Sequence, residues 1–403
     1  MKYLITLPWM PYPATDGGKQ GSFNMLMELQ NMIDITLIYP VFFKKQMACQ
    51  YLLEKQLPKV KVYPFEYYKN KDGIKSQYSL FRLHRIITRK FLKQPYLATP
   101  IYKDAYIDFV NEIIKKERID IVQNEYFEQL YMVYAIPNTV KKVFIQHEIQ
   151  YIAKERLIQQ REYPSSVRYL ATMQRIQEIN ALNEYDQVIT MTDIDKNILM
   201  CDGVRAPISA SPSFIPLPDN IAYKECERSS ICFIGSGHNP NLNGVTWFLD
   251  NVWSLILKEN PNFTFKIIGK WDEKIKTEYQ KKYRNLFFCG FVDNLAMVIS
   301  ECIMVIPILI GSGIRMKILE SVNFYSPFVT TTVGVEGLDF INGKECIIAD
   351  EPQAFATGVL KIATDKVLQH NLTKAAHEKL MEMYSPEASV QRRLNIYNEM
   401  LKR

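Results

Sequence analysis

The hydrophobic pattern opens with an apolar run, KYLITL (2–7). A Pro/Gly loop follows, then SFNMLMELQNM (22–32) at helical spacing and a second apolar run, DITLIYP (34–40). Apolar runs of this length without alternation predict strands buried on both faces, so the chain begins as a parallel βαβ unit. Further strands are expected at IDIVQNE (119–125), KVFIQHE (142–148) and YDQVITMT (185–192), with helix-like segments between them. The stretch RAPISASPSFIPLPDN (205–220) carries four prolines in sixteen residues and predicts a linker.

A second strand–helix series starts after it. ICFIGS (231–236) leads to the helix VTWFLDNVWSLILKEN (245–260), then to strands at FTFKIIG (263–269), LFFCGFV (286–292), CIMVIPIL (302–309), PFVTTTVG (327–334) and ECIIAD (345–350). Helices close the sequence. Two such series of similar size predict two Rossmann-like α/β domains with a cleft between them. Ligands of such sheets sit at the carboxyl ends of the strands.

Composition narrows the classes. At 403 residues, length alone suggests two or three domains; 47% apolar and 23% charged residues supply a large core and argue against disorder. A net charge of +6 permits anionic partners without demanding them. The seven cysteines form no CxxC pair and read as reduced core thiols, and the five histidines lack metal-ligand spacing. YLITLPWM reads as a first buried strand rather than a signal peptide, and no apolar run approaches the length of a membrane span. These features give an expectation of a cytoplasmic protein.

The stretch IPILIGSGIRMKILES (306–321) carries the strongest chemistry. Gly311 and Gly313 allow a tight turn of bare backbone after a strand, and a helix is expected from about Ile314. The first N–H groups of that helix and its dipole favour an anion, and Arg315 and Lys317 add positive charge. Glu320 lies on the Lys317 face, seven residues and roughly 10 Å of helix rise beyond Gly313. That reach fits a nucleoside diphosphate, with phosphates at the helix start and ribose hydroxyls at Glu320. An ordinary strand–turn–helix with a Lys317–Glu320 surface pair fits the same residues. In the first half, PYPATDGGKQG places Gly17, Gly18 and Gly21 between strand and helix, another loop suited to phosphate. It is not GxGxxG, and DITLIYPV ends without an acidic residue for a ribose, which argues against NAD.

Together these residues resemble the retaining glycosyltransferases of family four, which have the GT-B fold. The resemblance covers nearly the whole chain and is strongest over 231–340, in FIGSGHNPNLNGVTWFLDNV, FCGFVDNL and PILIGSGIRMKILES…GVEGL. In the first half it rests on PYPATDGG and FIQHEIQYIAKER. It implies an N-terminal acceptor-side domain over 1–215 and a nucleotide-sugar domain over 216–385. The helix 386–403 would pack back on the first. Gly17 and Gly18 would contact the donor diphosphate or the transferred sugar, and His147 would stand near the reacting sugar. Glu320 would hold the ribose, and the backbone at Phe291 and Val292 would meet the base. Gly235, Gly311, Ser312 and Gly313 complete the donor contacts.

Two departures from the family pattern matter. Ser312 stands where the first glutamate of the paired-glutamate motif would fall, a Gly-Ser-Gly form that one branch of the family carries. The loop GSGHNPNLNG also lacks the Arg and Lys that many members place there, so Arg315 and Lys317 become the candidates for charge on the diphosphate. The resemblance implies front-face transfer, with the leaving diphosphate taking the acceptor's proton. No DxD-type pair stands in a suitable loop, so a metal-independent reaction without a cofactor is expected, the nucleoside diphosphate sugar being a substrate. His238 has no comparable support as a site residue, and Glu148 and Glu178 stand as acids near the cleft without an assigned role.

The acceptor class is a glycan or a lipid-linked molecule, and surface polysaccharide synthesis is the expected setting. Segment 69–93 has eight Lys/Arg against one Asp, with apolar residues near helical spacing. It fits a peripheral contact with an anionic membrane at the inner face of the cell, and equally a solvated basic face. Nucleic acid is not expected. A sugar-nucleotide epimerase and a non-catalytic nucleotide-sugar or glycan-binding subunit are the competing functions.

Overall fold

The computed structural model describes residues 1–14, 17–69, 103–159, 162–217, 223, 228–292, 294–311 and 314–403. The chain divides into two compact units, Met1–Pro212 with Val390–Arg403, and Ser213–Ser389.

The first unit is built on seven parallel strands: β1 (Lys2–Thr6), β2 (Asp34–Val41), β3 (Lys61–Glu66), β4 (Ile121–Glu125), β5 (Lys141–Gln146), β6 (Gln187–Thr190) and β7 (Ile208–Ala210). Their order is β3-β2-β1-β4-β5-β6-β7. The order reverses between β1 and β4, the place where open sheets of this kind take their ligands. The middle strands are the apolar runs of the sequence: every residue of β4 is buried, as are the last four of β1. The helix Gly17–Leu29 begins earlier than the spacing at 22–32 suggests, so Gly17 and Gly18 form its first turn rather than a loop. The segment Val390–Arg403 packs in this unit through Tyr397, whose ring lies 4.8 Å from that of Tyr3, and through Arg393, which donates to Ser211 Oγ at 3.2 Å.

The second unit repeats the plan with β8 (Ser230–Ile234), β9 (Thr264–Ile268), β10 (Leu286–Gly290), β11 (Ile303–Ile306), β12 (Phe328–Thr330) and β13 (Ile347–Ile348), in the order β10-β9-β8-β11-β12-β13. All pairs are parallel. Phe248, Trp253, Phe265 and Phe355 interlock beneath the sheet, with the Phe248 and Phe265 rings 5.1 Å apart. Each such burial contributes about 1.5–3 kcal/mol. Gly244, in the helix Asn239–Asn251, lies so close to the strand end that a Cβ would strike the Pro307 carbonyl. The buried Arg228 guanidinium donates to the Cys302 carbonyl at 2.8 Å and to the Tyr325 carbonyl at 3.1 Å, tying three segments together.

Three further sequence expectations need correction. The Pro-rich stretch is not all linker, because Ile208–Ala210 adds the edge strand β7 between two of its prolines. The helix foreseen at 245–260 is two helices, Asn239–Asn251 and Trp253–Glu259, which meet at Val252. The helix of the Gly-rich motif begins at Met316 with Arg315 as its N-cap, two residues later than expected. Segment 70–93 lies outside the described residues. Among the described residues no helix is long and apolar enough to cross a membrane.

Candidate functional site

In the second unit the polar residues gather where β8 ends. Gly235 follows the strand at φ +151°, a backbone state that favours glycine, and a Cβ there would come within 2.5 Å of Asn241 Nδ2. His238 is the N-cap of the helix Asn239–Asn251, and its Nδ1 lies 2.9 Å from Ser236 Oγ. Asn241, in the first turn, bridges both sides: its Nδ2 donates to the Ser236 carbonyl at 2.9 Å and its Oδ1 accepts from Lys317 Nζ at 2.7 Å.

Lys317 therefore reaches from the first turn of Met316–Asn323 to the end of β8, where its Nζ also stands 4.1 Å from the centre of the Phe233 ring. Burial, and then the charge of Arg315, bring its ammonium down to about 7, while Glu320 works the other way. Gly311, at φ +122°, leaves room for the Arg315 guanidinium, which a Cβ would meet at 2.9 Å. Lys317, Arg315, Gly311, Gly235 and the start of the Asn239–Asn251 helix thus belong to one cationic cluster. Glu320 sits half-buried one turn beyond Lys317. Phe291 follows β10 and is 84% exposed, with Val292 beside it packed on the core. Ser312 and Gly313 lie outside the described residues.

In the first unit a second cluster forms at the carboxyl ends of β4 and β5. His147, the residue after β5, lies flat on the Tyr126 ring, with centroids 3.9 Å apart and planes 4° apart. Its Nε2 is 2.9 Å from Glu125 Oε2. Glu125 also accepts from Ser22 Oγ at 2.9 Å and from Gln123 Nε2 at 2.8 Å. Burial alone would raise this carboxyl, but the hydrogen bond from His147, the charge of Arg393 and the Ser22 hydroxyl hold it below the usual carboxylate range. The Tyr126 hydroxyl donates to the Gly18 carbonyl at 2.5 Å, so Gly17–Gly18 and His147 meet through one side chain. Glu148 stays at the loop, where its Oε2 accepts from Gln150 Nε2 at 2.9 Å. Glu178 is fully buried and receives the N–H groups of Gln150 and Tyr151, each at 3.2 Å. Burial lifts its carboxyl to about 7 despite those hydrogen bonds.

Glu125, Tyr126, Ser22 and Asn241 carry this geometry and were not singled out in the sequence. Polar residues closing an apolar strand, NEY after IDIV, are the one local signal; Ser22 and Asn241 give none.

Both units follow the 3-2-1-4-5-6 order of a Rossmann sheet, the first with one strand more, and the architecture is that of the GT-B glycosyltransferases. Residues 228–365 match the family described as Glycosyl transferases group 1. The chain is similar to an uncharacterized 44.6 kDa protein in the cps region of Klebsiella pneumoniae, 28% identical over 160 residues. That match spans 37% of this chain and 41% of that protein. Among solved structures, the sucrose-phosphate synthase of Thermosynechococcus elongatus superposes with a TM-score of 0.71 at 12% identity, covering 100% of this chain and 99% of that one. Anabaena Alr3699/HepE in complex with UDP and glucose gives 0.69 at 12% identity, over 99% and 100% of the two chains. A mutant of S. aureus TarM, in complex with fondaparinux, alpha-GlcNAc-glycerol and UDP, gives 0.67 at 13% identity, over 98% and 99%.

Proposed function

We propose that this protein is a retaining glycosyltransferase that moves a sugar from a nucleoside diphosphate sugar to a glycan or lipid-linked acceptor. The observation that carries the reading is the seat of Lys317: a partly buried ammonium delivered to the open backbone at Gly235 and the start of a helix. These are the parts of an anion site for a diphosphate. Arg315 adds charge, Glu320 stands one turn away for ribose hydroxyls, and the exposed Phe291 with its half-buried neighbour Val292 marks where a base would lie. The group 1 match over 228–365 and the UDP held by HepE and TarM support a nucleotide-sugar donor.

In this reading the bond from the anomeric carbon to the diphosphate oxygen breaks, and the acceptor oxygen bonds to that carbon on the same face. The acceptor's proton passes to the departing diphosphate, whose growing charge Lys317, Arg315 and helix N–H groups stabilise. No metal takes part. The similarity to a cps-region protein favours capsule or another surface polysaccharide as the product, made in the cytoplasm or at the inner membrane face.

Thermal unfolding with UDP, GDP, ADP and NAD tests the donor site. At a hundredfold excess over the dissociation constant, the matching diphosphate stabilises the protein by about 2.7 kcal/mol. The effect should fall by about half or more in Lys317→Met. The cognate sugar donor should then hydrolyse slowly in EDTA with its configuration retained. Epimerised donor would point to the epimerase, and tight binding without turnover on any acceptor to a binding subunit. No stabilisation by any diphosphate would overturn the reading.

A further inference from the structure

We infer that Glu125 is a positioning residue that fixes the ring orientation and tautomer of His147, leaving Nδ1 as its working atom toward a hydroxyl of the transferred sugar. The assignment of that sugar rests on the function proposed above; the tautomer does not.

The geometry leaves the imidazole little freedom. Stacking on Tyr126 sets the plane of the ring, and the 2.9 Å contact from Nε2 to Glu125 sets its rotation within that plane. Tyr126 is itself held hard. Its backbone is at φ 68° and ψ 155°, a rare state for a residue with a side chain. Its ring packs 4.6 Å from Trp9, and its hydroxyl lies 3.0 Å from Ser22 Oγ as well as on the Gly18 carbonyl. A strained conformation persists only where its surroundings over-determine it.

The polarity of the network runs one way. The Tyr397 hydroxyl donates to Gln123 Oε1, which turns Gln123 Nε2 toward Glu125 Oε1 at 2.8 Å. Glu125 is a buried acceptor with no proton to give, and its Oε2 takes the Ser22 hydroxyl and His147 Nε2. Nε2 must therefore carry hydrogen. Among the described residues Nδ1 makes no hydrogen bond, and the His147 side chain remains 14% exposed. A bare imidazole nitrogen on a fixed ring is an acceptor for a sugar O–H.

Glu125→Gln makes the inference breakable. Its single carbonyl oxygen is claimed by Gln123 Nε2, so its NH2 group faces His147 Nε2, and the imidazole proton moves to Nδ1. Long-range 1H–15N spectra of the full chain labelled at histidine, with His147 assigned by its loss in His147→Gln, read the tautomer directly without any ligand. Wild type should show hydrogen on Nε2 and a bare Nδ1, and Glu125→Gln the reverse. Hydrogen on Nδ1 in the wild type, or an unchanged tautomer in Glu125→Gln, overturns the inference whatever the donor assays give. Should Glu125→Gln fail to fold, the wild-type spectrum and Glu125→Asp, which withdraws the carboxylate by one methylene, still decide it. With the donor in hand, Glu125→Gln should lower kcat about a hundredfold and leave the KM for donor within about threefold. A purely structural role would instead cut the amount of folded enzyme at unchanged kcat. The expected tautomers without binding of any nucleoside diphosphate would count against the proposed function alone.

Discussion

The two polar clusters occupy matching places, the carboxyl ends of the central strands in two similarly ordered sheets, and they are built in opposite ways. In the first unit a buried carboxylate receives three hydrogen bonds, from Ser22, Gln123 and His147, and the ring it holds is stacked as well. In the second unit an ammonium rests on one described acceptor, Asn241, and on an aromatic face. The carboxylate of the first cluster has its partners without a ligand, and among its described residues only Nδ1 of His147 is left to meet one. The second keeps a cation in surroundings that solvate it poorly, as the fall of Lys317 to about 7 records. A polar site can be organised for shape or for charge, and these two sheets divide the tasks.

The contrast is open to attack at four points. The largest effect falls on the first cluster: Glu125→Ala strands His147, Ser22 and Gln123 and should lower stability by about 3–5 kcal/mol in urea unfolding. Lys317→Met should instead raise stability near pH 7, because it removes a charge that the fold solvates poorly. The opposite ranking would reverse the division of tasks. Next, Lys317→Met should weaken the cognate nucleoside diphosphate by about 1.5–3 kcal/mol in titration calorimetry, whereas His147→Gln should barely change it.

The third effect is a pH dependence. The free ammonium is lowered, so above about pH 7 it is neutral and must take up a proton when an anion binds. Affinity should therefore fall as pH rises above 7, by at most about 1.4 kcal/mol per unit. It should fall less steeply in Lys317→Met. The sign for stability is the reverse: burying the charge penalises the fold below about pH 7, and that penalty fades toward the ordinary lysine value. The smallest effect is Gly235→Ala, about 1 kcal/mol of stability, because the new methyl group displaces Asn241 and crowds Lys317 Nζ at 3.1 Å. An affinity loss as large as that of Lys317→Met would show that the backbone at 235, not the ammonium, leads in anion binding.

The central strands were legible because they are continuous apolar runs. β3 was not: KVYPFE contains Pro64 and is mostly half-exposed at the sheet edge. β7 has three half-buried residues among prolines, so pairing with β6 decides it rather than composition. In the sites, the glycines, His147 and the Arg315–Lys317 pair stood out because each breaks a local pattern. Asn241 did not, since it meets Lys317 across 76 residues of sequence. Glu125 and Ser22 are 103 residues apart, and neither spacing nor periodicity connects them. The sequence offered charges for a phosphate but not the reach of one lysine across the sheet to a particular asparagine.

The division of the first unit into Met1–Pro212 and Val390–Arg403 has a consequence in time. Tyr397 orients Gln123, which orients Glu125, and Tyr397 is translated only after the entire second unit. At ~5–20 residues per second, β4 and β5 leave the ribosome tens of seconds before the residue that completes their polar network. A nascent first unit thus carries Glu125 with one link of its chain missing, and the second unit is already available to fold. Ribosome-stalled chains released before and after Tyr397 should differ in protease resistance at the first unit, while the second unit is equally protected in both.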